Sequence, residues 1–185
     1  KTETELSKTS VSTATLALKV AEEELGTLKD KKVLIIGATG KIGGIVLMIL
    51  ESLHQADIYV TTRKNKLIST KHGNDDFTTI DYEDRYSYLD QMDVVISATS
   101  SPHYTLTYSK MKKQLVTAKR RVFVDLAVPM DIEAKISAVD DTCYYNIDDF
   151  TRIAKENNQK KLREAEAASG ILDEYELQFE QWMVF

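Results

Sequence analysis

Three evenly spaced glycines, Gly37, Gly40 and Gly43, carry the most specific chemical signal in the chain. They lie in Gly37-Ala38-Thr39-Gly40-Lys41-Ile42-Gly43, which follows an apolar run and opens a helical pattern. A phosphate approaching a helix N-terminus meets free backbone N–H groups and the positive end of the helix dipole. Such an approach tolerates no side chain, so glycines recur there. The spacing is one residue longer than the usual dinucleotide fingerprint. A strand before it and a helix after it are the context that confirms the motif, against the plainer alternative of a tight turn that binds nothing.

The chemistry about 20 residues further on separates two cofactors. A site for NAD places Asp or Glu there, on the ribose 2′-hydroxyl. This chain has Thr61-Thr62-Arg63-Lys64 instead, with Lys66 close by, and Asp57 at the far end of the strand. A 2′-phosphate needs hydroxyl donors and a cation, and the planar fork of Arg suits phosphate oxygens. Thr62, Arg63 and Lys64 therefore indicate NADP rather than NAD. A third segment, Ser97-Ala98-Thr99-Ser100-Ser101-Pro102, follows another strand pattern and is expected to line the same crevice through Ala98, Thr99 and Ser100. Asp125-Leu126-Ala127-Val128-Pro129 ends the next strand and is expected to face the nicotinamide end.

Other reactive residues lead less far. Cys143 stands between Thr142 and Tyr144 in a strand pattern and reads as a small buried hydrophobe. The carboxylates of Asp140 and Asp141 beside it disfavour a thiolate. His54 and His72 read as surface residues, and His103, next to Pro102, is the one histidine placed near the crevice. No metal-ligand spacing is present.

The elements that position these residues alternate. Ser10–Leu25 reads as a helix capped by Ser10 or Ser12 and stopped by Gly26. Buried strands are expected at Lys31–Ile36, Asp57–Thr61, Asp93–Ser97, Arg121–Leu126 and Thr142–Ile147, with a shorter one at Phe77–Ile80. Helices fall at Ile45–Leu53 and Thr107–Ala118, with a polar helical stretch before Asp93. Such alternation implies βαβ units and a parallel sheet with helices on both faces. From Asp148, with Asp148 or Asp149 as cap, a long terminal helix begins. Ala165, Ala168, Leu172, Tyr175, Phe179 and Trp182 form an apolar stripe along it. The stripe is too short for a coiled coil and is expected to be poorly covered by this chain alone.

The 185 residues suit one domain with an appendage. Lys and Arg number 24 against 29 Asp and Glu, a net charge of −5 that argues against a broad nucleic-acid-binding face. A hydrophobic share of 43% excludes disorder. The single cysteine excludes an intrachain disulfide framework. No apolar stretch reaches the roughly 20 residues of a membrane span, and no signal peptide is visible, so a cytoplasmic location is the default. The chain opens Lys1-Thr2 without Met, as a trimmed chain or a piece of something longer does.

Taken in order, these segments resemble glutamyl-tRNA reductase. The resemblance rests on Lys1-Thr2-Glu3-Thr4 with Ser10-Val11-Ser12, on Val95 to Pro102, and on Asp125-Leu126-Ala127-Val128-Pro129-Met130-Asp131-Ile132. It continues through Asn146-Ile147-Asp148-Asp149-Phe150, Glu156-Asn157 and the Arg163-Glu164-Ala165-Glu166 helix toward Trp182. Two departures stand out. The glycine loop is longer than the family's, and Met130 occupies a position where the family often has Arg.

The resemblance implies a Rossmann-like, doubly wound, mostly parallel sheet with a long C-terminal helix. It also implies a division into a linking helix (1–27), an NADP-binding domain (28–147) and a helix leading to a dimerisation domain (148–185). In the family, a cysteine of an N-terminal domain attacks the glutamyl ester of charged tRNA. Hydride from NADPH then reduces the thioester to glutamate-1-semialdehyde, for tetrapyrrole and heme synthesis. This chain would bind NADPH through residues 37–43, 62–64 and 98–100. It would meet glutamyl-tRNA through a domain it lacks, act within a homodimer, and reduce nothing alone. No membrane or DNA partner is expected. The rivals are another NADP dehydrogenase, of shikimate-dehydrogenase-like type, and a non-catalytic nucleotide-sensing module.

Overall fold

A computed structural model describes residues 2–63 and 77–183, with side chains over 10–63 and 77–165. Lys64, Lys66 and His72 lie outside the described residues, as do the side chains of the terminal stripe beyond Ala165. Six strands form one sheet: β1 (Lys32–Ile36), β2 (Asp57–Thr62), β3 (Phe77–Asp81), β4 (Val94–Ser97), β5 (Arg121–Asp125) and β6 (Thr142–Asn146). Their order is β3-β2-β1-β4-β5-β6, and every pairing is parallel. The helices are α1 (Thr2–Leu25), α2 (Lys41–Leu53), α3 (Arg85–Tyr88), α4 (Tyr108–Gln114) and α5 (Ile147–Met183).

The apolar runs form the central strands because both faces are covered. Successive side chains point to opposite faces. Leu34, Ile36, Val95 and Phe123 thus join a core with Leu89, Met92, Leu106, Met111, Ile132 and Ile136. Val33, Ile35, Ile96, Val122 and Val124 are equally buried on the other face. On α1, Ala14, Ala17, Leu18 and Ala21 recur at helical spacing and are buried. The small side chains of the three alanines let the helix approach α2 and β5 closely.

The strand ends agree with the sequence reading to within one residue, and several helix ends differ by more. α1 starts at Thr2, not Ser10, because residues 2–10 contain no breaker and a serine does not by itself end a helix. Gly26 does stop it, at φ +77°. α2 starts at Lys41 rather than Ile45, so the third glycine lies inside its first turn. α4 ends at Gln114, well before Ala118, because the Asp90 carboxylate takes the next amides: Val116 N and Thr117 N both donate to Oδ1 at 2.9 Å. α5 is capped by Asn146, whose Oδ1 accepts from the amides of Asp148 and Asp149. Asp149 returns the contact by accepting from Asn146 N at 3.0 Å, which makes a reciprocal box.

Residues 1–150 form one compact unit and residues 151–185 a second, carried by α5. Within the second, Leu162 and Ala165 are exposed. Among the described residues, no helix is long and apolar enough to cross a membrane.

Candidate functional site

The glycine loop sits at the C-terminal end of β1. Gly37 adopts φ +89°, and a Cβ there would stand 2.8 Å from the Ala98 carbonyl oxygen. Gly43 lies deeper: a Cβ would come within 2.3 Å of Gly37 O, so helix and turn meet backbone to backbone. Between them, Gly40 N donates to Gly37 O at 2.9 Å and Gly40 occupies the N-cap of α2. No side chain caps that helix, so its first amides are left to an incoming anion.

A cavity of about 570 Å³ opens above this loop. Ile36, Gly37, Thr39 and Gly40 form its floor, and Thr61, Thr62 and Arg63 stand at the end of β2. Tyr82 follows β3, and Ala98, Thr99, Ser100, Ser101 and Pro102 form the opposite wall after β4. Of the residues expected from sequence, Gly37, Thr39, Gly40, Thr62, Arg63, Ala98, Thr99 and Ser100 come together here. Ala38, Lys41, Ile42 and Gly43 do not line the cavity: Ala38 and Gly43 are buried beneath it. Lys41 is exposed and Ile42 half-buried, both in the first turn of α2.

Two buried carboxylates hold the far wall in place. Asp131 accepts from Ser97 Oγ (2.7 Å), Thr99 N (2.8 Å) and Thr99 Oγ1 (2.6 Å). Its own carbonyl oxygen accepts from the Thr105 and Leu106 amides. Asp125, at the end of β5, accepts from the amides of Ala127, Asp131 and Ile132 at 2.8–3.0 Å. Burial outweighs these donors and pushes the Asp125 carboxyl up to about 6. The Asp125 carboxylate thus points into the protein, and the segment that follows it returns to the surface at Val128, Pro129 and Met130. Its Pro129 lines a second cavity of about 490 Å³, with Pro102, His103, Tyr104, Thr107 and Met130.

Sequence reading missed Asp131 and Tyr82. A lone Asp after a strand, as Asp131 is, has no periodic signature. Tyr82 lies in a polar stretch, and topology alone brings it to the mouth of β2. The Arg63 guanidinium is 5.1 Å from the centre of its ring.

Cys143 is half-buried rather than fully buried, and its nearest acid is Glu24 of α1, not Asp140 or Asp141. Its thiol donates to Glu24 Oε2 at 3.4 Å. Burial, then this carboxylate, push the thiol up from its ordinary value. Glu24 also accepts from Tyr145 and pairs with Arg120. Among the described residues, no group of three or more His, Cys, Asp or Glu could hold a metal ion.

Open α/β sheets take their ligands where the strand order reverses, and here that point lies between β1 and β4, directly above the glycine loop. The class follows: a Rossmann domain of the kind that takes a nicotinamide dinucleotide. Over residues 19–153 the chain matches the model for shikimate / quinate 5-dehydrogenase, and it belongs to that family.

It is 35% identical to the glutamyl-tRNA reductase of Clostridium novyi (strain NT), over 99% of its own length and 44% of that protein's. A solved glutamyl-tRNA reductase from Methanopyrus kandleri matches with a TM-score of 0.69 at 28% identity, over 84% of this chain and 39% of that one. The nucleotide binding domain of the Thermoplasma volcanium enzyme shares the fold, with a TM-score of 0.53 at 20% identity, over 82% of this chain and 96% of that one. The resemblance read from sequence is therefore borne out. The chain spans less than half the length of the curated relatives it matches.

Proposed function

We propose that this chain is the NADPH-binding domain of a glutamyl-tRNA reductase, which makes glutamate-1-semialdehyde for tetrapyrrole synthesis. One observation carries the cofactor reading: the crevice ends in Thr62 and Arg63, where an NAD site needs a carboxylate. The residues present fit the cofactor, since the glycines leave room that a Cβ would fill and the α2 N-terminus is uncapped. The amides of Lys41 and Ile42, in the first turn of α2, would hold the pyrophosphate, and Thr62, Arg63 and Lys64 would hold the 2′-phosphate. Ala98, Thr99 and Ser100, fixed by Asp131, orient the reacting end. When bound, NADPH supplies hydride. The nucleophilic thiol, the contact with glutamyl-tRNA and the dimer contacts belong to parts outside this chain. Residues 1–27 and 148–185 link this domain to them in a cytoplasmic homodimer.

Near-complete coverage of the chain by glutamyl-tRNA reductases supports this reading over a shikimate-type dehydrogenase, which the family description favours. The test is the whole protein. Incubated with NADPH, it should form semialdehyde from glutamyl-tRNA and leave shikimate untouched. Shikimate oxidation with no semialdehyde would reverse the assignment.

A further inference from the structure

Arg63 is an exposed side chain at the end of a strand, and a free arginine there would sample many rotamers. Its surroundings restrict it. The guanidinium stands 5.1 Å from the centre of the Tyr82 ring, and both residues line the same cavity. Tyr82 is in turn held by a second guanidinium, Arg85, at 3.9 Å from the same ring centre. Arg85 is fixed by the backbone: Nε donates to Thr105 O at 3.0 Å and a terminal nitrogen to Tyr82 O at 2.7 Å. Thr105 N donates to Asp131 O at 2.7 Å, so this scaffold reaches the buried hub behind the far wall. Among the described residues, no carboxylate pairs with Arg63.

From this geometry we infer that Tyr82 is a positioning residue for cofactor choice, its ring holding the Arg63 guanidinium where a ribose 2′-phosphate arrives. The inference rests on the NADPH reading above. A cation over an aromatic face is attracted by the ring quadrupole and keeps its N–H edge free. The edge can then donate to phosphate oxygens as a preorganised fork. A ribose with a bare 2′-hydroxyl gains nothing from that fork. Loss of the ring should therefore weaken one dinucleotide and spare the other.

The experiment is a calorimetric titration of the 185-residue chain with NADPH and NADH, with Tyr82→Leu, Tyr82→Phe, Arg63→Ala and the Tyr82→Leu/Arg63→Ala double variant. Tyr82→Leu should weaken NADPH by about three- to tenfold and leave NADH unchanged. Tyr82→Phe, which keeps the ring, should behave as wild type. In the Arg63→Ala background the leucine should cost nothing more, since the residue it positions is gone. Equal weakening of both dinucleotides would overturn the inference and make Tyr82 an ordinary wall contact. So would an unchanged NADPH affinity, or a loss that persists without Arg63. If Tyr82→Leu does not fold, as judged by its far-ultraviolet spectrum, Tyr82→Gln replaces it with the same expected outcomes. A wild-type chain with equal affinities for the two cofactors would instead fail the NADPH reading itself, before any variant is compared.

Discussion

Arg63 and Asp131 shape the same crevice but differ in what the chain discloses about them. Arg63 is readable because its position, at the end of the second strand past a glycine loop, has a fixed chemical meaning. Arg63→Ala should remove most of the preference for NADPH over NADH, a loss of about 1.5–3 kcal/mol for a charge-assisted contact, measured by titration with both cofactors. Asp131 acts through three-dimensional contacts with Ser97 and Thr99, more than thirty residues away, and no pattern in the chain announces them. Asp131→Ala should leave buried donors without acceptors and lower stability by about 3 kcal/mol, read from the urea midpoint. Asp125 gives a pH signature. Its folded value of about 6 lies above the ordinary 3.8, so the folded state holds this proton more tightly than the unfolded chain. The resulting stabilisation is fully present below about pH 3.8, declines as pH rises, and is lost above about 6. The span is worth about 3 kcal/mol. Relative to Asp125→Asn, wild type should lose stability across that window, and parallel curves for the two would refute the effect.

At the scale of elements, continuous apolar runs located the strands well. Val33–Ile36, Val94–Ile96 and Val122–Val124 are buried on both faces, and few other structures accept such runs. Helix ends were harder to place, because distant side chains and glycines decide them. Asp90 ends α4 from 26 residues away. Adjacent glycines carry no helical signal, yet the tightness of the βα turn requires Gly43 inside the first turn of α2. Gly43→Ala should therefore do more than lower helix propensity. Its Cβ meets Gly37 O and C, both backbone atoms, at 2.3 and 2.8 Å, so the loop must shift. Expected results are a loss of about 1–3 kcal/mol in thermal denaturation and dinucleotide binding weakened by at least about tenfold.

The whole molecule carries a cofactor crevice but no activated thiol. Cys143 faces the Glu24 carboxylate, which opposes ionisation. The chain mixed with NADPH and glutamyl-tRNA should give no semialdehyde, and Cys143→Ser should leave NADPH affinity unchanged. Turnover that the serine abolishes would make this chain a complete enzyme. The parallel sheet also has a consequence for synthesis. Both partners of β1 come later in the chain, β2 from residue 57 and β4 from residue 94. A nascent chain emerging from the ribosome displays its glycine loop well before anything can brace it. Ala98 N must first reach Ile36 O, and Asp131 must reach Thr99. A dinucleotide therefore finds no finished crevice on a chain still being made until translation has passed Asp131.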